Sequence, residues 1–121
     1  MCTKLNTNLP IATIYIKCTS NNTIITVVQK NKTIASGSCG ILGLKGSKRS
    51  TSYASQTLSN VLGKKIFLSG IKFVIVKVNG FGNGRVSALK GLQFSGVKIL
   101  RLLDITPVPF NGCKVSKKRR I

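Results

Sequence analysis

The sequence has no histidine, no tryptophan and a single acidic residue, Asp104, against 20 lysines and arginines. Without histidine or a second carboxylate, one chain cannot assemble a Ser-His-Asp triad, a carboxylate acid–base pair or a carboxylate-bound metal pair. A nucleophilic cysteine would have only lysine available as a base. The composition therefore predicts a protein that is not an enzyme and that uses no cofactor and no small-molecule substrate.

The shortage of acids also means that the formal charge of +19 cannot be neutralised within the 121-residue chain. Repulsion at this density opposes compaction, and binding a polyanion would relieve it. Nucleic acid and an anionic membrane surface are the two candidates. The longest apolar stretches, such as residues 73–76, fall far short of the roughly 20 residues that span a bilayer, so we predict no membrane-spanning segment.

The four cysteines, Cys2, Cys18, Cys39 and Cys113, are scattered along the chain. Close Cys pairs, as in zinc ribbons and redox motifs, are missing. Isolated and mostly buried thiols are the simpler interpretation. A zinc site built from the four separate thiolates is the alternative.

The hydrophobic content of 42% predicts one folded domain with strands at its start. Residues 11–18 alternate between apolar and polar side chains, as a half-buried strand does, and residues 23–29 are rich in β-branched residues. Asn21 and Asn22 supply turn chemistry between them. These two segments predict a hairpin, followed by a third strand over residues 33–38.

Two helices and two strands are predicted to follow. Apolar residues recur at helical spacing after position 52, with Ser50, Thr51 or Ser52 as the cap, and Ser69-Gly70 ends that helix. Residues 73–78 are apolar on both faces apart from Lys77, as in a central strand covered by helices on either side. A short helix follows residues 80–84, and residues 97–105 form the fifth strand. The order is βββαβαβ, with a short segment at 1–10, the domain at 11–105 and a tail at 106–121.

Two glycine-rich loops place cations directly before a predicted helix. One contains Lys45, Ser47, Lys48 and Arg49, and the other ends in Gly84-Arg85. Neither has the spacing of a nucleotide-binding motif. Backbone N–H groups and cations at such positions nevertheless favour anions. The alternative is that the glycines only make tight turns.

The tail is the most basic segment. Pro107 and Pro109 exclude a helix or central strand, and Asn111-Gly112 is a turn signal. The cations that follow are Lys114, Lys117, Lys118, Arg119 and Arg120. We predict an extended tail bound to RNA, because phosphate neutralisation also accounts for the overall charge. A solvated disordered end is the alternative.

Several stretches resemble the small-subunit ribosomal protein eleven family, of the bacterial and organellar type. They are SNNTIITV, GLKGSKRSTSYASQ, GFGNGR and, most specifically, DITPVPFNGCKVSKKRRI. The similarity extends from about Ile11 to Ile121. It implies a ribonuclease-H-like α/β/α fold with a five-stranded mixed sheet. Since this chain lacks the carboxylate clusters of enzymes on that fold, the fold would serve as an RNA-binding scaffold.

The resemblance also implies a place and a set of contacts. The place is the small-subunit platform, bound to the central domain of ribosomal RNA, beside neighbouring platform proteins and the messenger exit path. The implied RNA-binding residues are Asn21, Asn22, Lys45, Ser47, Lys48, Arg49, Gly84, Arg85, Asn111, Gly112, Lys114, Lys117, Lys118, Arg119 and Arg120.

Departures from the family pattern bear on location. The family usually has Gly-Pro-Gly-Pro-Gly-Arg where this chain has Gly-Phe-Gly-Asn-Gly-Arg at positions 80–85, and histidine at the position of Phe110. The N-terminus has little of the basic arm of relatives and no signal- or transit-peptide pattern. With lysine exceeding arginine by 15 to 5, we expect an organelle-encoded mitochondrial ribosomal protein. A plastid or the bacterial cytoplasm is the alternative.

Two other classes of protein would also carry a high positive charge. A free-standing RNA chaperone would need stacking aromatics on an exposed sheet, and aromatic residues make up only 6% of the chain. A membrane-surface protein would need an amphipathic helix with a cationic face, whereas the helix after Thr51 is lined with serine, threonine and asparagine.

Overall fold

The computed structural model describes residues 11–120, so the predicted segment at 1–10 lies outside the described residues. The element order βββαβαβ is confirmed. The elements are β1 (Ile11–Cys18), β2 (Thr23–Gln29), β3 (Lys32–Ser38), α1 (Ser52–Leu68), β4 (Phe73–Asn79), α2 (Arg85–Phe94) and β5 (Lys98–Asp104). Two short 3₁₀ turns, Cys39–Leu42 and Gly46–Ser50, lie between β3 and α1.

The strands form the predicted five-stranded mixed sheet, in the order β3-β2-β1-β4-β5. β2 is antiparallel to both β1 and β3, while β1, β4 and β5 run parallel. Each parallel connection contains a helix, as parallel pairing requires. The α/β fold expected from the sequence is confirmed.

The core lies between the sheet and the helices, because alternate residues of the strands point to one face. On β1 these are Ala12, Ile14, Ile16 and Cys18, and on β4 they are Val74, Val76 and Val78, all buried. Leu58 and Leu62 of α1 and Leu92 of α2 complete the same cluster. Burying a Leu, Ile or Val side chain stabilises a fold by about 1.5–3 kcal/mol, so this face holds the domain together.

The helices start and end where local chemistry dictates. The Thr51 hydroxyl accepts a hydrogen bond from the Ala54 N–H at 3.3 Å, which caps α1.

α1 and α2 pack side by side where glycines allow close approach. A Cβ at Gly91 would overlap the Ser59 hydroxyl and the Gln56 carbonyl, and one at Gly63 would overlap Ser95. In residues 11–120 no helix has the length and apolar character to cross a membrane.

The second face of the sheet carries no helix among residues 11–120, so the described domain has two layers where helices on both faces of β4 were expected. The second-face residues of β4 are only half-buried. Lys77 there lies 5.3 Å from the ring centroid of Tyr15 on β1, a cation–π contact. Phe73 and Ile75 share this half-buried face, which accounts for the continuous apolar run in β4.

Candidate nucleic-acid interface

The sheet topology brings the predicted contact residues to one edge. Strands β1, β4 and β5 are parallel, β3 runs in the same direction, and all four end at this edge. We call it the loop edge. It comprises residues 19–22, 39–51, 80–84 and 105–106, and both helices begin there. The hairpin tip, both glycine-rich loops and the start of the tail, far apart in sequence, therefore lie at the same end of the sheet.

The glycine-rich segment 80–84 packs directly on the hairpin and on the start of α1. The Gly82 N–H donates to the Cys18 carbonyl at 3.2 Å. A Cβ at Gly80 would overlap that same carbonyl, and a Cβ at Gly84 would overlap the hydroxyls of Ser55 and Thr23. Contacts to other elements thus hold this loop in place, although it contains no proline.

The hairpin turn is closed by its own polar groups. The Thr19 N–H and hydroxyl both donate to the Asn22 carbonyl, at 2.9 and 3.0 Å. The Asn22 side-chain oxygen accepts from the Thr23 N–H at 2.9 Å. Asn22 therefore shapes the turn, and Asn21, exposed at the tip, is the side chain presented to a ligand.

The glycine-rich loop before α1 exposes two lysines, whereas its arginine is hydrogen-bonded within the loop. Lys45, Ser47 and Lys48 are exposed. The Arg49 side chain is half-buried and donates from Nε to the Leu44 carbonyl at 3.0 Å. Of the predicted phosphate ligands in this loop, Lys45 and Lys48 are the cations available to a ligand, while Arg49 also holds the loop together.

Arg85 is the predicted contact with the strongest bonds to its own chain. It donates from NH2 to Asp104 Oδ2 at 2.7 Å and from NH1 to the Gly80 carbonyl at 2.9 Å. Its guanidinium lies 5.9 Å from the ring centroid of Phe81. The side chain is 30% exposed. Its RNA contact stays a prediction, and its bonds within the chain assign it a structural role.

Asp104 is the other half of this contact and connects the last strand to the tail. Its Oδ1 accepts from the Thr106 hydroxyl at 2.6 Å and from the Thr106 N–H at 3.0 Å. The Thr106 hydroxyl in turn accepts from the Gly80 N–H at 3.1 Å. We call Asp104, Arg85, Thr106 and Gly80 the aspartate latch. It fixes where the tail leaves the domain.

The latch lowers the pKa of Asp104 well below its ordinary value, chiefly through the Thr106 hydroxyl and then through Arg85. A carboxylate with a depressed folded-state pKa contributes stability above its unfolded pKa and loses it as the pH falls through the folded value. The latch is therefore intact at neutral pH and opens only below the ordinary aspartate range, about pH 3.9.

We expect the Thr106 amide resonance, followed by NMR in salt that keeps the chain folded, to titrate with a midpoint below about 3.9, the ordinary aspartate pKa. Thr106→Val removes the hydroxyl but keeps the β-branched shape, and it should raise that midpoint. Thr57→Val, which removes a hydroxyl that donates to the Tyr53 carbonyl within α1, is the matched control and should leave it unchanged. Equal midpoints in the Thr106→Val and native chains would disprove this account of the latch.

The tail beyond the latch is exposed along its whole described length. Every side chain from Pro107 to Arg120 is exposed, and these residues form neither helix nor strand, as expected for an extended tail. Asn111 has φ 56°, in the left-handed region, which agrees with the turn predicted at Asn111-Gly112. The cations Lys114, Lys117, Lys118, Arg119 and Arg120 are all available to a ligand.

Three exposed aromatic residues near the loop edge and tail were not among the sequence predictions. Tyr53 in the first turn of α1 is 72% exposed, Phe81 between two glycines is 82% exposed, and Phe110 in the tail is 98% exposed. Unpaired bases stack on such rings. The low aromatic content gave no reason to single them out from the sequence. Their positions beside glycines, prolines and a helix start could nevertheless have indicated that they are exposed.

The cysteines differ in environment. Cys18 and Cys39 are buried free thiols, as predicted, whereas Cys113 is exposed in the tail and Cys2 lies outside the described residues. Burial raises the pKa of Cys18, and the charge of Arg85 partly opposes that shift. Over residues 11–120 no three side chains of metal-binding type come together.

Comparison with known proteins agrees with this geometry. Residues 12–120 match the family model for ribosomal protein S11. The chain is 44% identical over 119 residues to small ribosomal subunit protein uS11 of Desulfotalea psychrophila, a match that covers 98% of this chain and 94% of that relative. The resemblance found in the sequence is confirmed.

Proposed function

The chain belongs to the ribosomal protein S11 family of the small ribosomal subunit, and from this premise we propose that it binds ribosomal RNA through the loop edge and the tail. It is a ribosomal protein of a structural family that acts in translation. The proposed RNA is that of the central domain, which forms the subunit platform. Platform proteins and the messenger exit path would be its surroundings.

The observation that carries this proposal is that separate polar and cationic segments lie at one end of the sheet. Lys45 and Lys48, the hairpin tip and the root of the tail are at this same end although they are up to about 85 positions apart. The one acid, Asp104, is held by Arg85 and Thr106. A surface of this kind attracts phosphates through charge, and flexible tail cations can follow an RNA backbone.

We also propose the mitochondrial ribosome as the location. The excess of lysine over arginine and the departures from the family pattern at positions 80–85 support this. The bacterial source of the relative named above fits the bacterial and organellar type and is compatible with a plastid or a bacterium. Cofractionation with mitochondrial small subunits tests the location, and recovery only with bacterial or plastid subunits would refute it.

The RNA proposal is tested by changing Lys45 and Lys48 to alanine together. We expect weaker binding to small-subunit RNA and a log–log salt slope smaller by about 1.4–1.8, at roughly 0.7–0.9 for each phosphate that is no longer neutralised. The measurement is the binding constant as a function of salt concentration. The fold should persist, because both side chains are exposed.

A matched control removes the same charge from the opposite end of the sheet. Lys32 at the start of β3 and Lys72 just before β4 are exposed there. Changing both to alanine should alter the slope by less than half as much. If the two double variants behave alike, binding depends on total charge and the loop edge is not the interface.

A further inference from the structure

Strand β5 is exposed in a way that its role as a sheet strand does not explain. Its residues Leu100, Leu102 and Leu103 are 44%, 55% and 37% exposed. Among the described elements, β4 alone makes extensive contact with it, because the helix pair lies over the other strands. β5 therefore presents apolar side chains on both faces and a free edge.

Within residues 11–120, the outer edge of β5 also presents backbone groups that have no partner. The Ile105 N–H donates to the Val78 carbonyl at 2.8 Å. Because backbone groups alternate in direction along a strand, Arg101 and Leu103 also direct theirs toward β4. Leu102 and Asp104 consequently direct their N–H and C=O groups away from the sheet. A bulge leaves Leu100 without a partner opposite β4.

The strand at the opposite side of the sheet, β3, differs from β5 in its side chains. β3 has the sequence KTIASGS, mostly small and polar, and its pairing with β2 is interrupted by a bulge. Both edge strands contain a lysine and a bulge, features that oppose pairing with other chains, so the difference between them lies in the apolar side chains they offer to a partner. β5, with the sequence KILRLLD, has a leucine-rich surface that favours pairing.

The positive charge of β5 and of the whole chain limits which molecules can bind along this strand. Lys98 and Arg101 are exposed on β5, and the single acid Asp104 is engaged in the latch. A second copy of this chain would bring another +19 to the contact, which opposes self-association. RNA would gain little from leucine side chains, which have neither charge nor a ring on which a base can stack. The remaining occupant is an acidic protein segment.

We propose that β5 is a docking strand for another small-subunit protein, whose extended, net-acidic segment adds to the sheet as a sixth strand. Its backbone pairs with the outward groups of Leu102 and Asp104. Its apolar side chains cover Leu102 on the helix side and Leu103 on the open side, and its acids face Lys98 and Arg101. This mode gives affinity through main-chain bonds and specificity through alternate side chains. The inference does not depend on the RNA contacts proposed above.

Hydrogen exchange at single amides tests the added strand. The Leu102 and Asp104 amides should exchange fast when the chain is bound to small-subunit RNA alone. They should slow by at least about tenfold in reconstituted small subunits containing all the proteins. Fast exchange in the complete subunit would overturn the proposal, and so would slow exchange with RNA alone, which would make RNA the occupant.

Two variants of one residue separate the backbone contribution from the side chain. Leu102→Pro removes the outward N–H and leaves the bonds to β4, since proline is tolerated where an edge N–H faces solvent. Leu102→Ala keeps that N–H. In competitive reconstitution against the native chain, measured by isotope ratio, the proline variant should incorporate about three- to tenfold less well than the alanine variant.

Both variants should bind naked RNA as the native chain does, which distinguishes failure here from failure of the RNA proposal. Circular dichroism of the RNA-bound chains reports whether each variant is folded. If the folded proline and alanine variants incorporate equally, backbone pairing at β5 is wrong. If the isolated chain sediments as a dimer that Leu102→Pro dissociates, the occupant is a second copy, which also overturns the proposal.

Discussion

Removing Lys114 to Ile121 is expected to cost the chain most of its affinity for small-subunit RNA while leaving the domain folded. The truncation removes five cations, and all five side chains are exposed. At roughly 0.7–0.9 per neutralised phosphate, the log–log salt slope should fall by about 3.5–4.5. Because the remaining affinity is lower, the truncated chain should leave the subunit at a lower salt concentration. Reconstitution across a salt series measures both effects.

A full-length variant with the same five cations changed to alanine serves as the control for chain length. It should behave as the truncation does, because phosphate contacts position a protein through charge. Changing Pro107 and Pro109 to glycine should do less damage, since it removes only pre-organisation of the tail. A truncated chain that assembles as well as the native one at every salt concentration would show that the tail is only solvated.

Gly80→Ala is expected to have the largest effect on stability. Gly80 has φ 91°, a conformation costly for residues with a Cβ, and a Cβ there would overlap the Cys18 carbonyl. Strain and overpacking together should lower the free energy of unfolding by about 2–5 kcal/mol. Urea unfolding in sulfate buffer, where anions screen the positive charge and favour the compact state, measures the change.

Gly43→Ala separates the two contributions to that destabilisation. Gly43 has φ 80°, and nothing lies within 4 Å of the Cβ position. This variant therefore carries backbone strain without overlap and should be destabilised by only about 1 kcal/mol. Similar destabilisation of the two variants would mean that the close packing of residues 80–84 on the hairpin does not contribute to stability.

Local patterns predicted the elements well because each depends on neighbouring residues. The alternation in residues 11–18 and the β-branched run after Thr23 predicted β1 and β2 with their observed bounds. Thr51 was one of three candidate caps, and its hydroxyl is the one that caps α1. The five-stranded mixed sheet followed from the family resemblance and agrees with the observed order.

Local sequence patterns could not predict features that depend on residues far apart in the chain. The bond from Arg85 to Asp104 joins positions 19 apart, and the sequence showed each residue without the contact. The apolar run in β4 predicted helices on both faces, but Ile75 and Phe73 lie on a half-buried sheet face without a helix. The exposure of Leu102 likewise depends on how far the helix pair extends over the sheet.

The close contact between α1 and α2 determines the distance between the two helices beneath the loop edge. Gly91 meets Ser59 and Gln56, and Gly63 meets Ser95, with no room for a single added carbon. Because these atoms are already in close contact, the two helices cannot approach each other further, and this packing sets the spacing of their amino ends beneath the loop edge. The two helix starts that support the loop edge are therefore held apart by a distance that the small residues in their interface determine.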